Sequence, residues 1–206
     1  MDKTVAEKNR GAQDIVRAGQ RMDLRGWVPA TAGNISCRLA DGRIAITRSG
    51  CHKGFLRTDD VITVDEAGHP HDPANKPSAE TLLHCQAYRL MPQVGAVLHG
   101  HSVASTVLSM DVREPALILR DYEVQKVFEG QTTHDASIAI PLFDNDQDIA
   151  RLATVVEPFF GRMPAGYIIR GHGVYVWGRD MDMALARLEG LEFLLACELE
   201  RRRARA

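Results

Sequence analysis

The apolar run Val94-Gly95-Ala96-Val97-Leu98 leads directly into His99-Gly100-His101. A run of this kind reads as a β-strand, and side chains two residues apart on a strand point to the same face. The fold must therefore place two imidazoles side by side at the rim of a sheet. A further histidine, also between glycines, lies in Gly171-His172-Gly173. Brought in from another strand, it would complete three neutral nitrogen donors with a fourth position open, the donor set of a catalytic zinc rather than a structural one.

A chain of 206 residues can bury one sizeable core, so a single domain over residues 1–206 is expected. A net charge of −2 argues against nucleic-acid binding, which normally requires a basic excess. The one basic cluster, Arg201-Arg202-Arg203-Ala204-Arg205, closes a predicted helix, where cations suit the helix dipole. The cysteines Cys37, Cys51, Cys85 and Cys197 have no paired spacing and read as free thiols of a reducing compartment. No apolar stretch approaches the roughly twenty residues of a membrane span, and Met1-Asp2-Lys3 leads into polar sequence rather than a signal peptide. The expectation is a cytoplasmic enzyme.

Periodicity predicts a helix over Thr4–Leu24, with Ile15, Val16, Ala18, Gly19 and Met22 on one stripe. Strands Asn34–Leu39 and Arg43–Arg48 are joined by Asp41-Gly42, a hairpin signal because glycine supplies the positive φ of such turns. Val61–Asp65 is a third strand, Ser78 caps a helix to Leu90, and a helix from Ser102 to Met110 follows the histidine strand. Leu117–Leu119 and Ile138–Leu142 read as strands. Asp121 is expected to cap a helix through Phe128, and Asp144-Asn145-Asp146 to open one ending at Val156. Tyr167–Arg170 and Val174–Trp177 flank His172, and Asp180 starts a final helix buried along Leu185, Leu188, Leu191, Leu195 and Leu199. Hairpins mixed with helices imply an α/β fold of three layers, α/β/α, around a mixed, mainly antiparallel sheet.

The remaining histidines are weaker ligand candidates. His69 and His71 flank Pro70 in a polar loop, His84 sits inside a predicted helix as a packing residue, and His52 and His134 lie in loops. Anion-binding texture gathers elsewhere. Thr31-Ala32-Gly33-Asn34 enters the first strand, and Thr47-Arg48-Ser49-Gly50 leaves the second, so both belong to the same end of one hairpin. Backbone N–H groups beside glycine, the cation of Lys53 and the helix start at Pro77-Ser78 complete a phosphate-binding expectation centred on Asn34, Ser49, Gly50, Ser78 and Lys53. Two carboxylates compete for acid–base work: Glu80 and Glu123, each in the first turn of a predicted helix.

Taken in order, Thr31-Ala32-Gly33-Asn34, Ser49-Gly50, Pro77-Ser78-Ala79-Glu80, His99-Gly100-His101-Ser102 and Arg170-Gly171-His172-Gly173 resemble the class II aldolase and adducin family over almost the whole chain. The resemblance implies one Zn2+ per subunit on His99, His101 and His172, a small phosphorylated ketose as substrate, and a homotetramer with active sites near subunit interfaces. The stretches Gly26–Thr31, Phe143–Ile149 and His172–Gly178 are similar to a dehydratase branch, which removes water from a methylthio-substituted ketose 1-phosphate in methionine salvage. That branch implies acid–base work at Glu123, whereas the family's aldolases use a glutamate matching Glu80. The alternatives are a ketose-1-phosphate aldolase with Glu80 as base, and a non-catalytic adducin-like interaction module. The intact histidines and carboxylates weigh against the module. Neither a nucleic-acid nor a membrane partner is expected.

Overall fold

A computed structural model describes residues 3–205. The polar start read at Met1-Asp2 lies outside the described residues. Among the described residues, five α-helices and eight strands follow in this order: α1 (Lys3–Leu24), β1 (Asn34–Arg38), β2 (Ile44–Thr47), β3 (Val61–Val64), α2 (Thr81–Leu90), β4 (Ala96–Gly100), α3 (Val103–Asp111), β5 (Ala116–Arg120), β6 (Ser137–Phe143), α4 (Ile149–Val156), β7 (Tyr167–Ile169), β8 (Gly173–Gly178) and α5 (Met181–Arg203).

All strands join one sheet in the order β3-β2-β1-β4-β8-β7-β6-β5, in which only β6–β7 is parallel. The histidine strand β4 is central. Its successive residues alternate between two cores, as a period of two requires. Leu98 packs with Ile35, Val174 and Val176 against Ile15 and Met22 of α1, Leu108 of α3 and Leu188, Leu191 and Leu195 of α5. Val97 packs with Ile44, Tyr175 and Trp177 against Leu83 and Tyr88 of α2 and Leu152 and Val156 of α4. A sheet with both faces covered gives the three layers the sequence implied.

Several helix starts differ from the sequence reading. Ser78 does not cap α2, whose first residue is Thr81 and whose N-cap is Glu80. The Ser78 hydroxyl donates instead to Thr47 O at 3.0 Å, tying the loop to β2. Glu80 thus stands just before the helix rather than within its first turn. Asp121 adopts φ 65° and caps nothing; Glu123–Val127 is a 3-10 segment whose N-cap is Tyr122. The acidic run at 144–146 precedes α4, but the cap is Asp148, whose side chain accepts from Arg151 N. Ser102 and Asp180 do cap α3 and α5.

Candidate active site

The β4–β8 pairing delivers the third histidine. Gly100 lies opposite Val174 in that register, so the turn at 171–173 stands at the end of β4. Two glycines make the approach possible. Gly171 takes φ 60°, a region disfavoured for residues carrying a Cβ. A Cβ on Gly173 would collide with the Gly100 carbonyl oxygen and come 3.1 Å from His99 Cε1. The turn is also tied to α3: Gly171 N donates to Ser109 Oγ at 3.0 Å, and the Arg170 guanidinium donates to the carbonyls of Ser109, Val112 and Glu114.

His99, His101 and His172 consequently converge, with one ligand atom of each lying within 4.8 Å of the others. His99 Nδ1 lies 2.8 Å from Val174 O, and His101 Nδ1 lies 2.9 Å from His172 O. A carbonyl only accepts, so both Nδ1 atoms carry the proton and both Nε2 atoms keep a free lone pair. His172 Nδ1 faces Asn145 Oδ1 at 3.3 Å, with the same consequence. His99 Nε2 and His172 Nε2 are 3.2 Å apart. Burial pushes His99 well below the usual histidine range and His101 down to about 4, and lowers His172 as well; for His99 and His101 the neighbouring imidazoles add to the effect. Three neutral imidazoles directing bare nitrogens into one space fit a borderline divalent cation such as zinc.

Beside this cluster stands Glu80, with Oε1 at 3.8 Å from His172 Nε2. Its other oxygen, Oε2, accepts from Asn34 Nδ2 at 2.6 Å. Glu123 is placed differently. It is exposed on the 3-10 segment and pairs with Lys126 at 2.6 Å, and that hydrogen bond holds its carboxyl below the usual range. Within one chain, the carboxylate next to the histidines is therefore Glu80.

The loops read as anion-binding do meet at one end of the sheet. Arg48 bridges Pro77, Ser49 N donates to Lys76 O at 3.0 Å, and Ile35 N donates to Thr47 Oγ1 at 3.3 Å. Gly50 takes φ 79° in the turn that follows. The individual side chains are already engaged, however. Lys53 is 1% exposed, and its ammonium donates to Thr31 O and Cys51 O at 2.7 Å each, bracing two of the loops against each other. Asn34 is spent on Glu80 and His84, and Ser78 on Thr47.

Sequence reasoning read His84 as a packing residue and did not single out Ser36 or Tyr88. All three are buried and hydrogen-bonded in series behind Asn34. The available signal was that Asn34, Ser36 and Arg38, the alternate positions of β1, are all polar. His69, His71 and His134 stay outside the cluster, with His69 paired to Asp65 and His134 to Asp135.

The chain belongs to the class II aldolase and adducin family: residues 13–199 match the Class II Aldolase and Adducin N-terminal domain. Solved structures share the fold. The L-fuculose-1-phosphate aldolase from Thermus thermophilus superposes with a TM-score of 0.78 at 24% identity, over 96% of this chain and 98% of that one. A second L-fuculose 1-phosphate aldolase gives 0.79 at 18% identity, over 94% of this chain and 87% of that one. In sequence the chain is far closer to a narrower group. It is 70% identical over 194 residues to a protein of Gluconobacter oxydans (strain 621H) named methylthioribulose-1-phosphate dehydratase, covering 94% of this chain and 93% of the relative. A protein of the same name from Pseudomonas paraeruginosa (strain DSM 24068 / PA7) is 54% identical over 190 residues, covering 91% of this chain and 93% of the relative.

Proposed function

We propose that the chain is a metal-dependent hydro-lyase that dehydrates 5-methylthioribulose 1-phosphate to 2,3-diketo-5-methylthiopentyl 1-phosphate in methionine salvage. The observation that carries this reading is a three-imidazole cluster with a carboxylate beside it, in a chain 70% identical along nearly its whole length to a relative bearing that name. Zn2+ held by His99, His101 and His172 would supply Lewis acidity toward the carbon-two carbonyl, making the carbon-three proton removable.

The chain's own groups do the rest. The loops at 31–34, 49–53 and 76–78 would hold the phosphate through backbone N–H and hydroxyl groups around Asn34, Ser49, Gly50 and Ser78 rather than through the Asn34 amide, which is engaged with Glu80 and His84, with Lys53 fixing the spacing of the loops and adding positive charge. Glu80, with Oε1 3.8 Å from His172 Nε2, is the base we assign to the carbon-three proton. Loss of the carbon-four hydroxyl needs a donor, and that role goes to Glu123. Because Glu123 is exposed and paired with Lys126 rather than with the histidine cluster of its own chain, this role requires a homotetramer whose active sites lie near subunit interfaces. A single domain spans residues 1–206. The cytoplasm suits the four free cysteines, two of them buried, and among the described residues no helix is long and apolar enough to cross a membrane.

A second reading, a ketose-1-phosphate aldolase using Glu80 as base, is favoured by the position of that carboxylate beside His172. Incubation with methylthioribulose 1-phosphate separates the two by mass spectrometry. Dehydration gives one product lighter by one water with every carbon retained, and in deuterated water it takes up solvent deuterium as its enol tautomerises. Cleavage between carbons three and four gives dihydroxyacetone phosphate, and finding that compound without the diketone would replace the dehydratase reading with the aldolase.

A further inference from the structure

Behind Glu80 runs a chain of buried polar groups whose protons have only one consistent arrangement. Asn34 Nδ2 donates to Glu80 Oε2 at 2.6 Å, which turns Asn34 Oδ1 toward His84 Nε2 at 2.5 Å. An amide oxygen only accepts, so His84 carries its proton on Nε2 and keeps a lone pair on Nδ1. That lone pair accepts from Ser36 Oγ at 2.7 Å. With its proton spent there, Ser36 Oγ accepts from the Tyr88 hydroxyl at 2.8 Å. Every proton in the series points toward Glu80, so each bond polarises the next in the same sense.

The series is buried and comes from two elements of the fold. Asn34 and Tyr88 are 2% exposed, and Ser36 and His84 are fully buried. Asn34 and Ser36 project from β1 at alternate positions, while His84 and Tyr88 lie one helical turn apart on α2. The His84 ring meets Tyr175 edge-on, and Tyr175 in turn stacks with His99 at 4.1 Å and with Tyr167 at 4.9 Å between centroids. Contacts from His84 thus reach both the carboxylate, through Asn34, and a histidine of the cluster, through Tyr175.

We propose that His84, as the neutral Nε2–H tautomer, is a positioning residue: it fixes the orientation of the Asn34 amide, which in turn holds Glu80 Oε2 and leaves Oε1 aimed at the space beside His172. The inference rests on the reading that Glu80 does acid–base work at this site. Burial also drives His84 down to about 3, so the ring stays neutral throughout the working range. If the Asn34 amide were free to turn over, its oxygen would face the carboxylate, acceptor against acceptor, and Glu80 would swing away.

The test uses the metal-loaded enzyme and its variants His84→Phe, His84→Gln, Tyr88→Phe and Glu80→Gln. Metal content, kcat and KM for methylthioribulose 1-phosphate, and the 15N imidazole spectrum of the unmutated protein are measured. The expected spectrum shows a neutral ring protonated at Nε2. His84→Phe should lower kcat about a hundredfold, the scale of losing a well-aimed catalytic group, with KM and metal content unchanged. His84→Gln, whose amide N–H replaces the donor to Asn34, should recover most of that loss. Tyr88→Phe, which deletes one hydroxyl at constant shape at the far end of the series, should lower kcat a few-fold and tests the series even if His84→Phe fails to fold. A ring protonated at Nδ1 would overturn the assignment. So would equal defects in the Phe and Gln variants, or an unchanged kcat in Tyr88→Phe. Full turnover in His84→Phe beside an inactive Glu80→Gln would remove His84 and leave Glu80 in its role. Full turnover in Glu80→Gln would remove both.

Discussion

His99 Nε2 and His172 Nε2 lie 3.2 Å apart although 73 residues separate them in the chain. Each presents a bare lone pair, because its Nδ1 is committed to an acceptor, Val174 O or Asn145 Oδ1. Two such lone pairs repel at this distance, and a shared cation turns that repulsion into ligation. The purified protein should therefore carry about one zinc per chain, and His99→Ala or His101→Ala should lose it, since two remaining donors are too few. Elemental analysis decides: undiminished zinc in both variants would refute the ligand assignment. The same measurement on His172→Ala tests the third ligand separately.

The two carboxylates make separable claims. Glu80→Gln and Glu123→Gln each keep size and hydrogen bonding but cannot cycle a proton, so each should lower turnover by roughly two to four orders of magnitude while zinc is retained. Steady-state kinetics on both variants is the check. Loss of turnover in Glu80→Gln alone, with Glu123→Gln near the unmutated rate, would move the proton donor away from Glu123.

Gly173→Ala should prevent the turn at 171–173 from closing onto β4. The added Cβ would collide with backbone, the Gly100 carbonyl oxygen, which no side-chain rotation can relieve. The expected result is a large fall in thermal stability together with loss of bound metal, measured by calorimetry and elemental analysis. A variant that melts with the unmutated protein and keeps its zinc would show that the turn can shift at little cost.

Glu192 gives a stability prediction with a definite sign. It is 3% exposed on α5, and burial raises its carboxyl from the ordinary 4.5 to about 7, with the Ser102 hydroxyl opposing. Between those values the folded protein binds more protons here than the unfolded chain does, so this group makes stability fall as pH rises from 4.5 through 7. The cost above that range is on the order of 3 kcal/mol. Glu192→Gln, which cannot ionise, should raise the melting temperature at about pH 8 and leave it nearly unchanged near pH 4.5. Melting curves at both values test this, and an equal shift at the two would exclude ionisation as the cause.

Local rules made several elements legible in the residues alone. The apolar run Val94-Gly95-Ala96-Val97-Leu98 made β4 legible as a strand, and the two-residue period of a strand put His99 and His101 on one side of it. Asp41-Gly42 fixed the β1–β2 hairpin, and with it the shared end at which Asn34 and Thr47 stand. The leucine stripe of α5 and its Asp180 cap were equally plain, because propensity, cap and apolar spacing all fall within a few residues of one another. Packing, by contrast, chose the long-range partner of each polar group. Ser78 had the chemistry of a helix cap but found the carbonyl of Thr47, and Lys53 had the charge of a phosphate ligand but found two carbonyls. Asn34, His84, Ser36 and Tyr88 bond across as many as 52 residues of chain, and meet only because α2 packs on the face of β1 that carries Asn34 and Ser36. A buried polar group must be paired with whatever reaches it, and what reaches it is set by packing rather than by neighbours in sequence.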